Sequence, residues 1–266
     1  MNWGKMKMLF IYLFVALNAV LLTFYIYTVQ KNKTEIVQEK EIIERSMKND
    51  NITVEENATK RDNLGYVNVT ISDLKDIRKE DSGLKYEVEN VDKTSTLKVS
   101  SENAITNVNK GSYRAELDSF LLEKMKLSAN YIFSSYNSSK NEVIFEQQID
   151  SFRVFSNKNA RIVFSVESNG DIKNFTLTSV SNIRKDKNEA LVPSSQAINR
   201  LYHEDLIPKN CRVRTTLGYY TYISQTENQV LIPTWNVEIS DKDGQISNYY
   251  VDAINLNVLN RKGHSS

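Results

Sequence analysis

Residues 161–180, RIVFSVESNGDIKNFTLTSV, set the architecture of this chain. Ile162, Phe164 and Val166 alternate with other residues over Arg161–Glu167, the two-residue period of a strand with one buried face. Asn169-Gly170-Asp171 is a turn sequence, and Ile172–Val180 returns with Ile172, Phe175 and Leu177. The stretch predicts an antiparallel hairpin. A similar pattern recurs downstream: Val230–Ser240, a turn at Asp241-Lys242-Asp243-Gly244, then Ile246–Ile254. Gly244, Ile246, Asn248 and Tyr249 match Gly170, Ile172, Asn174 and Phe175 in place, a weak internal repeat.

Each hairpin is preceded by a helix and a further strand. Tyr113–Tyr136 reads as a helix whose apolar stripe is Leu117, Phe120, Leu121, Met125 and Ala129, with Ile132 and Phe133 a turn later. Glu142–Ile149 then alternates as a strand. In the second copy Pro193-Ser194-Ser195 opens a helix, with Ser194 or Ser195 as the expected N-cap. Ala197, Leu201 and Tyr202 give it an apolar face, Pro208 stops it, and Arg212–Gln225 is the strand that follows. A helix packed across one face of an antiparallel meander is the natural way to bury such a pattern. The fold class is therefore α+β, with two helix-plus-meander units expected at 64–192 and 193–260. Residues 64–112 hold only short β-type runs, Tyr66–Ile71, Leu84–Val88 and Thr96–Val99, with a turn at Asp81-Ser82-Gly83. The other sheet face is solvated or binds something.

Upstream, residues 8–29, MLFIYLFVALNAVLLTFYIYTV, carry no charge. At about 1.5 Å per residue a helix of this length spans a hydrocarbon core of about 30 Å. The run exceeds a secretory h-region and ends in bulky Phe24, Tyr25, Ile26 and Tyr27 rather than a small-residue cleavage site. Trp3, Tyr25 and Tyr27 suit the interfacial aromatic belts. The organisation expected is a short tail at 1–7, a transmembrane helix at 8–29, a polar linker at 30–63, the two α+β units, and a disordered tail at 261–266. Within the linker a short helix can continue out of the membrane, with extended or disordered chain from Asp50. Lys5 and Lys7 on one side and Lys31, Lys33, Lys40 and Arg45 on the other leave orientation undecided by charge, since long domains translocate largely regardless of it.

The chain has 34 Lys and Arg against 33 Asp and Glu among 266 residues, so no basic face for nucleic acid is implied. Cys211 is the single cysteine, which excludes an intrachain disulfide and suits a small apolar filler. His203-Glu204-Asp205 does not converge on a metal, because adjacent helical residues point in different directions. His264 lies near the end of the chain. Ser194 and Ser195 are better explained by capping than by nucleophilic catalysis. There is no phosphate loop and no H-E-x-x-H. Acidic residues are plentiful enough for a paired-carboxylate hydrolase, but nothing selects a pair. No cofactor is expected.

Aromatic residues carry the remaining signal. Tyr219, Tyr220 and Tyr222 in one strand, Trp235 after Ile232-Pro233-Thr234, and Tyr249 and Tyr250 in another suit either core packing or a protein-binding face. In the membrane run, Asn18 is an amide in hydrocarbon. It either bonds locally or bridges to a neighbouring helix, with Ala16 and Ala19 permitting close approach.

Met1-Asn2-Trp3, followed by basic residues and an anchor containing Asn18, resembles the start of the YycI (WalI) family. These are membrane-bound regulators of the WalK–WalR (YycG–YycF) two-component system of low-GC Gram-positive bacteria. Leu217-Gly218-Tyr219-Tyr220, then Pro233-x-Trp235, then Tyr249-Tyr250-Val251-x-Ala253-x-Asn255, recur in that family in the same order and similar spacing. The matching ends cover about a third of the chain, and residues 35–112 show no match. The resemblance implies a cytoplasmic N-terminus, an extracytoplasmic domain of YycH-like or PepSY-like units, and no enzymatic activity. It implies as partners a WalK-like sensor histidine kinase and a YycH-like membrane protein, met partly through transmembrane helices. The expected function is non-catalytic regulation of that kinase. An extracytoplasmic module binding wall fragments or peptides is the alternative, and an anchored wall hydrolase a third.

Overall fold

The computed structural model describes residues 3–55, 61–75, 83–91, 94–127, 130–221, 227–260 and 264–265, the side chains of 3–5, 29–40 and 264–265 excepted. The chain divides into two units, Met1–Thr53 and Val54–Ser266. The first is dominated by one helix, α1 (Trp3–Asn49). Its Met6–Thr28 stretch is long and apolar enough to cross a membrane. A turn at Asp50–Ile52 ends it, with Asn51 in the left-handed region at φ 57°. The short helix expected in the linker is thus continuous with the apolar one.

The second unit is α+β. Its strands are β1 (Thr53–Glu55), β2 (Asn63–Leu64), β3 (Val67–Ile71), β4 (Leu84–Val91), β5 (Thr94–Ser101) and β6 (Thr106–Asn107) before helix α2 (Tyr113–Phe120). A π turn, Leu121–Met125, extends α2. Then come β7 (Asn130–Asn137), β8 (Glu142–Ile149), β9 (Phe152–Phe155), β10 (Arg161–Val166), β11 (Asp171–Leu177), β12 (Val180–Lys185) and β13 (Glu189–Ala190). Helix α3 (Ser194–His203) leads into β14 (Arg212–Thr221), β15 (Asn228–Ser240), β16 (Ile246–Asp252) and β17 (His264–Ser265). The main sheet runs β12-β3-β15-β14-β9-β8-β10-β11-β5-β4. Neighbours along this order pair antiparallel except β9 and β14, which run parallel with Tyr219 opposite Val154. Hydrogen bonding therefore passes through the 192/193 boundary expected from the sequence. It does so again where β3 pairs with β15.

The first core forms under α2. Leu117, Leu121 and Met125 turn inward onto one sheet face made by Leu97, Val99, Val143, Phe145, Ile162, Phe164, Phe175 and Leu177. Burying such a side chain is worth roughly 1.5–3 kcal/mol. That holds a helix far too short to persist alone. Edge-on and tilted ring pairs run through this layer, with Phe164 and Phe175 centroids 4.9 Å apart. The two hairpin turns match: Gly170 and Gly244 have φ 89° and 80°, and each donates its N–H to the residue three before. Val166 faces Ile172 and Ser240 faces Ile246, but the first hairpin carries a bulge at Ser165/Val166 that the second lacks.

Three sequence expectations need correction. Residues 130–136 belong to strand β7, not to the helix: Lys126, left-handed at φ 44°, ends the helix, and Phe133 lies opposite Phe145. Neither Ser194 nor Ser195 is the N-cap; Pro193 holds that place without a side-chain bond. The tail is not wholly without order, since His264 pairs with Asn248 through the backbone. Asp81 and Ser82 of the expected turn lie outside the described residues, as do Ala129 of the expected stripe and Tyr222.

Candidate functional site

The aromatic strands form an interior. On one face of β14 and β15, Leu217, Trp235 and Val237 align with Val251 and Tyr249 of β16. Trp235 is buried and donates its Nε1–H to the Val192 carbonyl at 2.8 Å, tying the strand to the segment that opens α3. Ala197, Ile198 and Leu201 of α3 are buried as well. On the other face Tyr250 stacks with Tyr220 at 4.7 Å and with Phe155 of β9 at 5.6 Å. Gly218 makes this approach possible: a Cβ there would meet the Arg153 carbonyl and the Phe155 ring at 2.5 Å. Tyr219 is buried and meets Phe152 edge-on at 6.1 Å. Burial, with Asp150 nearby, pushes its hydroxyl up to about 12. Of the expected docking residues, Tyr219, Trp235 and Tyr250 are therefore interior, while Tyr220 and Tyr249 are half-buried.

Next to this stack lies a buried carboxylate that the sequence does not single out. Glu146 of β8 accepts the Ser156 N–H at 2.7 Å and the Ser134 hydroxyl at 3.0 Å, with Arg153 Nε 3.7 Å away. Desolvation is the largest influence and pushes its pKa up, against the bonds and Arg153. Period-two reading puts Glu146 on the solvated face opposite Val143 and Phe145. Glu146 is nonetheless buried, while Glu142, Ile144 and Gln148 on the same face are half-buried. A second polar link spans the sheet: the buried Asn157 amide donates to Thr221 Oγ1 at 2.7 Å and to Gln229 Oε1 at 2.8 Å.

In α1, Asn18 sits midway along the apolar run and donates its amide N–H to the Phe14 carbonyl at 2.8 Å. At 3.6 residues per turn it lies about 160° round the helix from Ala16 and about 100° from Ala19. The amide and the small residues therefore serve different sides. Ala19 shares its side with Val20, Thr23 and Tyr27. Cys211 is buried, and burial, with Asp241 nearby, pushes its thiol up, away from the reactive thiolate. Among the described residues, no group of three or more His, Cys, Asp or Glu side chains could hold a metal ion.

These features define a class: an α+β sheet domain behind one N-terminal helix, consistent with single-pass membrane anchoring. The model of the YycI protein family matches residues 30–254, and the chain belongs to that family. The family is regulatory and non-catalytic, and membership suggests a regulator of the WalK two-component system. No curated protein matches the chain. Similar solved structures include an uncharacterized protein from Eubacterium rectale, at 9% identity and a TM-score of 0.46 over 79% of this chain and 90% of that one. The C-terminal domain of YpeB from Bacillus megaterium is similar at 13% identity and a TM-score of 0.41, over 86% and 96%.

Proposed function

We propose that this protein regulates a WalK-like sensor histidine kinase without catalysis, together with a YycH-like membrane protein. The observation that carries this reading is the family match across nearly all of the chain beyond the apolar helix. In this reading the N-terminus is cytoplasmic and Val54–Ser266 is extracytoplasmic. Regulation is coupling by differential binding: a protein that binds one kinase state better than another shifts the kinase towards that state. The anchor supplies one contact. Asn18 has one amide N–H committed to Phe14, and its oxygen can accept a bond from a neighbouring helix, while Ala16 and Ala19 allow close approach on another side. Tyr220 and Tyr249, the half-buried aromatics, are the parts of the Tyr/Trp strands that can meet an outer partner, while Tyr219, Trp235 and Tyr250 are buried; Tyr222 completes the proposed set.

The test is co-purification from mildly solubilised membranes, comparing the full chain, residues 31–266, and Asn18→Leu. A kinase and a second single-pass protein should accompany the full chain. One interhelical hydrogen bond in a membrane is worth about 1 kcal/mol. Asn18→Leu should therefore lower recovery about fivefold. Unchanged recovery and signalling would remove the Asn18 contact, and recovery of no kinase by any of the three proteins would end the regulatory reading.

A further inference from the structure

The turn at 156–160 joins β9 to β10 and is folded inward, with Asn157, Asn159 and Ala160 all buried. The orientation of the Asn157 amide is fixed by the backbone: its Oδ1 accepts the Asn159 N–H at 2.8 Å. Its Nδ2 is then the donor, and both of its N–H bonds are spent on Thr221 Oγ1 and Gln229 Oε1. That in turn fixes Gln229 of β15. Its carbonyl oxygen is bonded, and its Nε2 is buried without a partner among the described residues. The Asn159 side chain has a partner at neither end, Nδ2 or Oδ1. Both residues are only 1% exposed. Neighbouring groups are well supplied. The Thr178 hydroxyl donates to the Lys158 carbonyl at 2.8 Å, and the Gln147 N–H donates to the Ala160 carbonyl at 2.9 Å. Gln147, also 1% exposed, is bonded at both ends of its side chain to the Val180 backbone, each at 2.9 Å.

Buried amides in folded proteins are bonded to protein or to ordered water, because leaving them bare forfeits the hydration they had in the unfolded chain. The free atoms narrow what can meet them. Asn159 Nδ2 and Gln229 Nε2 donate, and Asn159 Oδ1 accepts. A cation would be set against two NH2 groups, and an anion against a carbonyl oxygen. A small neutral molecule that both donates and accepts satisfies all three atoms. Internal waters do this, typically with about three hydrogen bonds each. We propose that Asn159 and Gln229 hold buried water where the 156–160 turn meets β15. The water completes the link that Asn157 begins. Asn157 reaches Thr221 of β14 and Gln229 of β15, so this link crosses the 192/193 boundary beside the β9–β14 join. The join between the two halves of the sheet is therefore partly polar and hydrated, whereas the core under α2 is apolar.

A high-resolution crystal structure of the full chain in detergent tests this directly. Water density is expected at hydrogen-bond distance, about 2.7–3.2 Å, from Asn159 Nδ2 and Oδ1 and from Gln229 Nε2. A second measurement works in solution. The full chain is labelled with nitrogen-15 at asparagine and held in detergent micelles. The Asn159 side-chain NH2 should then show a magnetisation-transfer peak to water with the sign of a long-lived bound molecule. Asn159→Leu identifies the peak by its loss. If that variant does not fold, the density in the parent protein decides alone. A peak that survives Asn159→Leu, no density at these atoms, a side chain or backbone group of the protein bonded to them, or an ion coordinated there would each overturn the proposal.

Discussion

Strands β15 and β4 lie in the same sheet and could hardly differ more. β15 is buried on both faces through most of its 13 residues, whereas β4 is half-exposed on one face and fully exposed on the other. β15 reads LIPTWNVEI, nearly continuous in apolar or neutral residues; β4 reads LKYEVENV, strictly alternating in its first six. Position in the sheet explains both. β15 lies between β3 and β14 and also pairs with β16, and α3 and the Trp235 bond cover one of its faces. Among the described residues β4 pairs with β5 alone, and it covers part of one core. The lesson is that aromatic richness marks the middle of this sheet, while charge alternation marks the half-exposed strand at the end of its order.

The sharpest way to break this contrast is at Trp235. Truncation of a buried aromatic costs about 3–5 kcal/mol. Trp235→Ala also orphans the Val192 carbonyl. Thermal unfolding should move down by roughly 10 °C. A midpoint within about 2 °C of the parent would mean that β15 is not the interior strand described.

Gly218→Ala comes next. Its Cβ would strike the Arg153 carbonyl and the Phe155 ring, so β9 and β14 must separate. Overpacking of this kind costs about 1–3 kcal/mol. Denaturant unfolding reads the loss as a lower midpoint at unchanged slope. The glycine in the Leu217-Gly218-Tyr219-Tyr220 motif is thus explained by the close approach of a ring.

Much of this is legible in the residues. The sequence marks strand β8 with its ends in place, and β10 and β11 within a few residues, because alternation is clean where only one face meets a helix. The α2 stripe shows Leu117, Leu121 and Met125 for the same reason. What misleads is backbone chemistry without its usual marker. Lys126 is left-handed where a glycine would normally announce a helix end, so the aromatic run 130–136 reads as more helix. Glu146 escapes because a charged residue facing away from Val143 and Phe145 reads as solvated. Its burial among Ser134, Ser156 and Arg153 depends on neighbours from other segments, and the parallel β9–β14 join leaves no local trace in the sequence. The choice between core and interface for Tyr219, Trp235 and Tyr250 needs the same information.

Glu146 gives a pH test of its own burial. Its folded pKa is raised above the ordinary 4.5, chiefly by desolvation. Between 4.5 and that raised value the unfolded chain has lost its proton while the folded one keeps it. Stability therefore falls as pH rises through this window and levels off above the folded pKa. Glu146→Gln has no proton to lose there. Its unfolding free energy should lack this decline, so the difference between variant and parent should change with pH across the window. Parallel stability curves would place Glu146 in contact with water.

The smallest effect belongs to the edge. Lys85 forms a 3.2 Å ion pair with Glu102, and both side chains are about three-quarters exposed. Exposed pairs of this kind contribute little to stability. Lys85→Glu should therefore shift unfolding by no more than about 0.5 kcal/mol. A small loss at Lys85 beside a large one at Trp235 is what distinguishes a half-exposed strand from an interior one. A large loss of stability from Lys85→Glu would make β4 a covered strand, and the contrast with β15 would disappear.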